Sequence, residues 1–209
     1  MKKLIKYILS EKGGTVASKD ELKEICRRFR ASVDKTVNFM ISYGYLIRIL
    51  RGLYYVKNIE EFKFKKSINT LKLISLGMSK LKTEWYFGLH TALVLNGLTH
   101  EYSATTFVMS NKIYRAKPIN INNEKVKFIK LKPALFGFGI VEKDSIKFSD
   151  VEKTLLDEIY ISRYRSVPAE RIISIMEEYG KNIRKSRLSS YLRFYPKSVR
   201  KVVEDAGII

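Results

Sequence analysis

Residues 32–56 read SVDKTVNFMISYGYLIRILRGLYYV, which is the pattern of a capped helix followed at once by a hairpin. Ser32 is a typical N-cap, apolar residues then recur at helical spacing, and Gly44 can end the helix. Two runs of aliphatic, β-branched and aromatic residues follow, and Arg51 and Gly52 separate them. Such paired runs around a glycine turn predict a two-stranded ribbon.

The residues before this stretch predict two more helices. Apolar residues at helical spacing predict a helix over 2–12, and Gly13 and Gly14 end it. In SKDELKEICRRF, Ser18 and Glu21 have the spacing of a capping box at the start of a second helix. Helix, helix, short turn, helix and ribbon is the order of a winged helix-turn-helix, whose third helix enters the major groove of DNA.

The middle of the chain changes from helical patterns to strand patterns. Residues 57–67 are charged and lack a clear period, which predicts a linker with some helical tendency. Helical patterns follow over 68–78 and 84–96, and strand patterns over 104–110, 125–131, 135–142 and 145–148.

The last part of the chain returns to helical patterns. Ser149 and Glu152 predict a further capping box, and Pro168 and Pro196 each stand before a helical pattern that a glycine ends. The sequence therefore predicts an α+β protein. Its expected parts are an N-terminal winged helix-turn-helix in residues 1–60 and a mixed α/β C-terminal domain, ending in helices, in residues 68–209.

Lysine and arginine outnumber aspartate and glutamate by 40 to 21, which gives a net charge of +19 at pH 7. An excess of this size usually reflects a polyanionic partner, whereas lysine-rich surfaces that serve solubility pair lysine with glutamate in near balance. Residues 1–66 carry 16 basic and 7 acidic groups, and residues 161–209 carry 11 and 5. This distribution favours nucleic acid as the partner, with phosphate contacts near both ends of the chain.

The sequence also indicates the cellular compartment in which the protein is expected. Cys26 is the only cysteine, so neither an intramolecular disulfide nor a cysteine-built zinc site is expected. The opening MKKLIKYIL is charged, but Lys6 interrupts an apolar run that is too short for a signal peptide. Apolar runs are also too short for a membrane span. We therefore expect a cytoplasmic protein that does not bind a membrane.

Side chains of the third helix and the ribbon are the candidate DNA-binding residues. With the apolar face of the helix inward, Lys35, Thr36 and Asn38 would point toward solvent, and these types can read base edges. Arg48 and Arg51 could contact phosphates or enter a narrow minor groove. The alternatives are a solvated helix face and charges that prevent an edge ribbon from pairing with other strands. The predicted DNA-binding residues are Arg30, Ser32, Lys35, Thr36, Asn38, Arg48 and Arg51.

A second basic stretch lies near the end of the chain. Residues 191–201, YLRFYPKSVRK, mix aromatic and basic side chains. Stacking combined with charge would suit single-stranded nucleic acid. Aromatic residues in amphipathic helices are more often core residues, so the pattern favours the core and leaves stacking as the alternative.

Residues with catalytic chemistry are few. His90 and His100 lack the spacing of a metal motif, and no nucleophile elbow or phosphate-binding glycine loop occurs. Four acidic residues cluster on one predicted helix, where they suit its N-terminal dipole and first turns: Asp150, Glu152, Asp157 and Glu158. We therefore expect no catalytic residue, metal or cofactor, and a metal-dependent nuclease is the less favoured alternative.

Three stretches resemble one known family. YGYLIRILRGLYYV looks like a recognition-helix end and wing, YFGLHTALVLNGLT like the segment that opens a second domain, and SDVEKTLLDEIY like a later helix of the AbiE-type antitoxins. These antitoxins are the transcriptional regulators of type IV toxin–antitoxin, abortive-infection systems. The resemblance covers roughly residues 1–160, and Lys153 stands where the family pattern has arginine.

The resemblance implies a specific biology. It implies a winged helix that represses its own operon, with two copies bound to inverted repeats in double-stranded DNA. It further implies a C-terminal domain that counters a nucleotidyltransferase-like toxin, without requiring a stable complex. A winged helix that docks onto protein instead of DNA is the alternative.

Overall fold

A computed structural model describes residues 1–64, 66, 68–163, 178–179 and 183–209. These residues combine helices with two β-sheets, so the predicted α+β class is confirmed. In the described residues, no helix is both long enough and apolar enough to cross a membrane. The contacts within the chain define two compact units: unit 1 comprises Met1–Lys82 and Asn120–Glu124, and unit 2 comprises Thr83–Ile119 and Lys125–Ile209.

Unit 1 is built from helices around a three-stranded antiparallel sheet of order β1-β3-β2. Leu22, Met40 and Tyr54 belong to the buried cluster between its first three helices and one face of the sheet. Its elements are α1 (Lys2–Lys12), β1 (Thr15–Ser18), α2 (Lys19–Arg28), α3 (Val33–Ser42), β2 (Leu46–Leu50), β3 (Leu53–Val56), α4 (Ile59–Lys63) and α5 (Thr70–Lys80).

The capping signals of unit 1 are confirmed. The Ser18 hydroxyl accepts from the backbone N–H of Glu21, and the Glu21 carboxylate accepts from the backbone N–H of Ser18 at 2.7 Å. Ser32 caps α3, and Gly44 takes a φ of 74° just after that helix ends. Strand β1 was not predicted, because four residues after a glycine pair carry little signal until they pair with β3.

Helix α5 belongs to unit 1 rather than to the second unit. It packs on the sheet, where a Cβ on Gly77 would lie 2.8 Å from Cγ2 of Ile49 in β2. Glycine therefore allows a close approach of this helix to the strand. The unit extends to Lys82, later than the boundary near residue 60 that the charged segment 57–67 indicated.

The second sheet is mixed, has the order β6-β7-β5-β4-β9-β8, and belongs to unit 2 for most of its residues. Strands β5 and β7 pair in parallel, as do β4 and β9, while β4 with β5 and β8 with β9 are antiparallel. The elements that follow α5 are β4 (Trp85–Phe87), α6 (Leu89–Leu95), β5 (Thr105–Ser110), β6 (Ile119–Ile121), β7 (Glu124–Lys130), β8 (Ile140–Lys143), β9 (Ile146–Ser149), α7 (Val151–Arg163), α8 (Lys185–Leu192) and α9 (Lys197–Asp205).

Two sequence predictions for unit 2 are wrong. The predicted helix over 84–96 begins instead with strand β4, whose three aromatic side chains are buried in the middle of the sheet. Gly88 separates the strand from a shorter helix, α6, whose first residue, Leu89, has a φ of 51°. The carboxylate of Asp150, rather than the hydroxyl of Ser149, accepts from the first turn of α7, at the backbone N–H of Lys153.

The remaining predictions differ in extent. Strands β5, β7 and β9 lie where the sequence placed them, whereas only the end of 135–142 is a strand. Pro196 precedes α9 as predicted. Residues 168–177 of the helix predicted after Pro168 lie outside the described residues.

Candidate nucleic-acid interface

Helix α3 presents Ser32, Lys35 and Asn38 on an exposed face. The Ser32 hydroxyl accepts a hydrogen bond from the backbone N–H of Lys35 at 3.5 Å. Lys35 and Asn38 are neighbours along the helix surface because residues three apart share a face. Val37 and Met40 are buried in the core of unit 1, which holds that exposed face outward.

Thr36 was predicted to point toward solvent and bind DNA, but the structure buries it. Its side chain is only 1% exposed, and its hydroxyl donates to the carbonyl oxygen of Ser32 at 2.8 Å. The position belongs to the inward face of α3, between Val33 and Met40, and the hydroxyl is satisfied by the preceding turn. Thr36 therefore supports the helix and cannot contact a base edge.

The hairpin of β2 and β3 turns at Arg51 and Gly52, as the sequence predicted. Gly52 has a φ of 78°, a conformation that favours glycine, and Arg51 beside it is exposed. Arg48 is also exposed and pairs across the strands with Tyr54. Since paired residues share a face of the sheet, Arg48 lies on the helix side of the sheet, at its edge.

Lys19 connects the hairpin turn to the start of α3. Its backbone N–H donates to the carbonyl oxygen of Gly52 at 2.8 Å, and its Nζ lies 2.6 Å from Oδ1 of Asp34. The hydrogen bond to Asp34 raises the pKa of Lys19. These contacts bring the turn beside the first turn of α3. Lys19 is not among the predicted DNA-binding residues, although a basic residue at the start of a helix is unusual because it opposes the helix dipole.

The arginines before α3 differ in their side-chain partners. Arg27 pairs with Glu24 at 3.1 Å, and Arg28 donates to the hydroxyl of Tyr7 at 3.4 Å. Arg30, in the turn between α2 and α3, is exposed. Within the described residues, Arg30, Lys35, Arg48 and Arg51 make no salt bridge, so their charges are available to an external anion.

An aromatic pair lies further along α3. The rings of Phe39 and Tyr43 stack with centroids 4.2 Å apart, and Tyr43 is 60% exposed. An exposed stack of this kind is typical of protein-contacting surfaces, where tyrosine and phenylalanine are enriched.

Unit 2 encloses a buried charged pair, Lys153 and Asp157 of α7, both fully buried and 3.4 Å apart. The hydroxyls of Tyr86 and Tyr195 each donate to Asp157 at 2.7 Å. The Lys153 ammonium lies 4.5 Å from the ring centre of Phe138. Burial lowers the pKa of Lys153, and the Asp157 charge opposes that change. Both tyrosines satisfy Asp157, Tyr86 from β4 and Tyr195 from the turn before the last helix, which favours a structural role that links α7 to these elements.

Both histidines, His90 and His100, lie in unit 2. Nδ1 of His90 is buried and has no hydrogen-bond partner among the described residues, and His100 is exposed. Across the part of the chain that the structure describes, no three His, Cys, Asp or Glu side chains lie close enough to hold a metal ion.

Comparison with known proteins gives a fold relationship. No family model and no curated protein matches the chain. Among solved structures, the crystal structure of the RV2827C protein from Mycobacterium tuberculosis is similar, with a TM-score of 0.57 and 11% sequence identity. The similarity covers 99% of this chain and 76% of that protein. The two proteins therefore share a fold across nearly the whole of this chain.

Proposed function

We propose that unit 1 is a winged helix-turn-helix that binds double-stranded DNA in a sequence-specific way. The observation that carries the proposal is the pairing of an exposed polar face on α3 with a basic hairpin turn, joined through Lys19. The order of α1, β1, α2, α3, β2 and β3 supports the same assignment.

In this proposal α3 is the helix that enters the major groove. Asn38 can bond adenine at N6 and N7, and Lys35, one turn nearer the start of the helix, can reach the acceptors of guanine. The start of a recognition helix is the part that meets base edges. Ser32 and the positive end of the helix dipole would lie against a phosphate there.

The hairpin and the preceding turn would hold the helix in register. Arg51 projects from the turn and can contact a phosphate or enter the minor groove beside the site. Arg48 lies on the helix side of the sheet and Arg30 precedes α3, so both can contact the sugar-phosphate backbone. Phosphate contacts of this kind fix orientation and carry no sequence information.

The biological role that fits this chemistry is that of an AbiE-type antitoxin. The chain would repress its own operon from the cytoplasm, as two copies on inverted repeats, because paired sites mirror paired modules. Its C-terminal part would counter a nucleotidyltransferase-like toxin. The support for this role is the resemblance of the three sequence stretches, together with the interface on unit 1.

The test for the DNA-binding part is an electrophoretic mobility assay with the promoter DNA directly upstream of the gene. Arg51→Ala should weaken binding to all duplexes to a similar degree and reduce the slope of log affinity against log salt by about 0.9. Lys143→Ala, an exposed lysine in β8 of unit 2, is the control and should bind like wild type. Wild-type binding by Arg51→Ala would remove the hairpin from the interface.

A growth assay tests the proposed antitoxin role. The proposal predicts a nucleotidyltransferase-like gene beside this one, whose expression alone suppresses growth and whose co-expression with this chain restores it. If growth is suppressed equally with and without this chain, the antitoxin assignment is wrong.

A second candidate is a winged helix that docks onto a protein, and the exposed stack of Phe39 and Tyr43 on α3 favours it. Tyr43→Ala separates the two functions. If unit 1 binds DNA, Tyr43→Ala should keep the promoter affinity of wild type. If unit 1 docks onto a protein, Tyr43→Ala should lose that partner, and neither it nor the wild type should shift promoter DNA.

A further inference from the structure

The turn between α8 and α9 is held from inside by two tyrosines. The hydroxyl of Tyr191 donates to Asp150 at 2.9 Å, and that of Tyr195 donates to Asp157 at 2.7 Å. The side chains of Arg193 and Phe194, which stand between these tyrosines in sequence, point outward and are exposed. The basic-aromatic run of residues 191–201 therefore divides into an inward pair, as expected for core residues, and an outward pair.

The outward pair forms the end of a stack. The ring of Phe194 lies on that of Phe138, with centroids 4.4 Å apart and planes 14° from parallel. The guanidinium carbon of Arg193 lies 4.7 Å from the centre of the Phe194 ring. Phe138 covers one face of Phe194, so Arg193 covers the other, because one ring face cannot accommodate both groups. The outer member of the stack is thus a planar cation that faces solvent.

Exposed cations continue from this stack along α9. Lys197, Arg200 and Lys201 have the spacing of one helix face, and Val199 and Val203 on the other face are buried. Residues 183–209 expose six basic side chains and two acidic ones, and the acidic pair lies at the far end of α9. Within the described residues, none of these six forms a salt bridge: Arg184, Lys185, Arg193, Lys197, Arg200 and Lys201.

We infer that the α8–α9 turn and the basic face of α9 form a second nucleic-acid-binding surface, which takes a single-stranded chain. An unpaired base would stack on the guanidinium of Arg193, as bases do on arginine planes in complexes with single strands. Lys197, Arg200 and Lys201 would contact the phosphates that follow that base. This surface lies on unit 2 and is independent of the interface proposed for α3.

The stack distinguishes this partner from other polyanions. A duplex offers phosphates but no unstacked base, so it would leave the Arg193 stack unused. An acidic protein would be expected to meet an apolar centre surrounded by charge, whereas the centre here is a cation on an aromatic ring. The combination of a stacking group with free cations is the one that binds single strands.

Fluorescence anisotropy with the full-length protein tests this inference. The probes are a labelled oligouridylate of about 20 nucleotides, longer than the roughly 4–16 nucleotides that one oligonucleotide-binding fold covers, and a random-sequence duplex of equal length. Arg193→Ala should weaken oligouridylate binding about tenfold, the size of one lost base stack. Arg193→Lys keeps the charge without the planar group and should lose nearly as much. Lys143→Ala, whose exposed lysine lies in β8, should bind like wild type.

The salt dependence tests the phosphate contacts separately. Lys201→Ala should reduce the slope of log affinity against log salt by about 0.7, the value for one phosphate of a single strand. Arg51→Ala, in the hairpin of unit 1, should leave oligouridylate affinity unchanged. Loss of promoter binding in Arg51→Ala with retained oligouridylate binding would establish that the two surfaces act separately.

Several results would overturn the inference. These are absence of oligouridylate binding by the wild-type protein, full affinity in Arg193→Ala, and full rescue by Arg193→Lys. If polyglutamate displaces the labelled oligouridylate as well as unlabelled oligouridylate does, the partner is an acidic protein. If Arg193→Ala loses as much affinity for the duplex as for oligouridylate, Arg193 contacts a phosphate and does not stack on a base. Circular dichroism identifies any variant that fails to fold. If Arg193→Ala does not fold, Arg193→Lys alone tests the stack, and if Lys201→Ala does not fold, Arg200→Ala, at an exposed position of α9, replaces it.

Discussion

Single residues on α3 have distinct tasks although they are close in sequence. Thr36 and Val37 are buried, whereas Lys35 and Asn38 on either side of them are exposed. A polar residue type alone did not reveal this difference, because threonine satisfies its hydroxyl within the helix and then behaves as a core residue. The base-reading role proposed for α3 therefore rests on Lys35 and Asn38.

Asn38→Ala should reduce discrimination between the operator and a site with one changed adenine by about 1–3 kcal/mol, because a bidentate contact is lost. Affinity for non-specific duplex should stay nearly constant. The measurement is the ratio of the two dissociation constants at fixed salt. Ser42→Ala, an exposed position near the end of the same helix, is the matched control. An Asn38→Ala variant that discriminates like wild type would exclude Asn38 as a reader.

Asp157→Ala should destabilise unit 2 by about 3–5 kcal/mol, because it leaves the buried charge of Lys153 without its partner. Urea unfolding measures the free-energy change. The double variant Asp157→Ala/Lys153→Met is the control, and it should recover part of the loss because no unpaired charge stays buried. A double variant that is less stable than Asp157→Ala would contradict the structural role of the pair.

At the scale of elements, Glu21 joins the start of α2 to α5. Its carboxylate accepts from the backbone N–H of Ser18 and lies 2.8 Å from the ammonium of Lys80. Partial burial would raise the pKa of Glu21, but the hydrogen bonds from Lys80 and Ser18, with the charge of Lys12, lower it to about 2. One side chain therefore caps a helix and cross-links two elements.

The stability of unit 1 should depend on pH through Glu21. A carboxyl group whose pKa is lower in the folded state than its ordinary value of 4.5 stabilises the fold above that value. This stabilisation is lost as the pH falls from about 5 toward 2. Thermal unfolding across this range should show a larger loss for wild type than for Glu21→Gln. Equal losses in the two proteins would contradict the low pKa.

Local signals made several elements predictable, and long-range pairing decided the others. The capping box at Ser18, the cap at Ser32 and the turn at Gly52 are local, and all three were correctly predicted. The strand Trp85–Phe87 was predicted as helix, because its extended conformation depends on pairing with the neighbouring strands β5 and β9. Propensity is a weak guide where packing of this kind dominates.

The candidate site was predictable to a similar extent. Residue type and the order of elements pointed to Lys35, Asn38 and the hairpin arginines, all of which are exposed. The contacts of Lys19 with Gly52 and Asp34 could not be predicted, because they join positions that are far apart in sequence. The exposure of the Arg193 side chain could not be predicted either, because the aromatic residues around it lack a clear helical period.

At the scale of the whole molecule, the net charge of +19 is large enough to affect every association with nucleic acid. The basic side chains proposed for duplex DNA lie in unit 1, and those proposed for single strands lie in unit 2. The two activities should therefore respond to different substitutions while sharing a strong dependence on salt.

The most direct test of the central claim is an anisotropy titration of the full-length protein with upstream promoter DNA, from about 50 to 200 mM salt. If Arg30, Arg48 and Arg51 each contact a phosphate, log affinity should fall against log salt with a slope of about −3 per copy. A scrambled duplex should bind more weakly at every salt concentration. A flat salt dependence, or equal affinity for promoter and scrambled DNA, would contradict sequence-specific DNA binding by this protein.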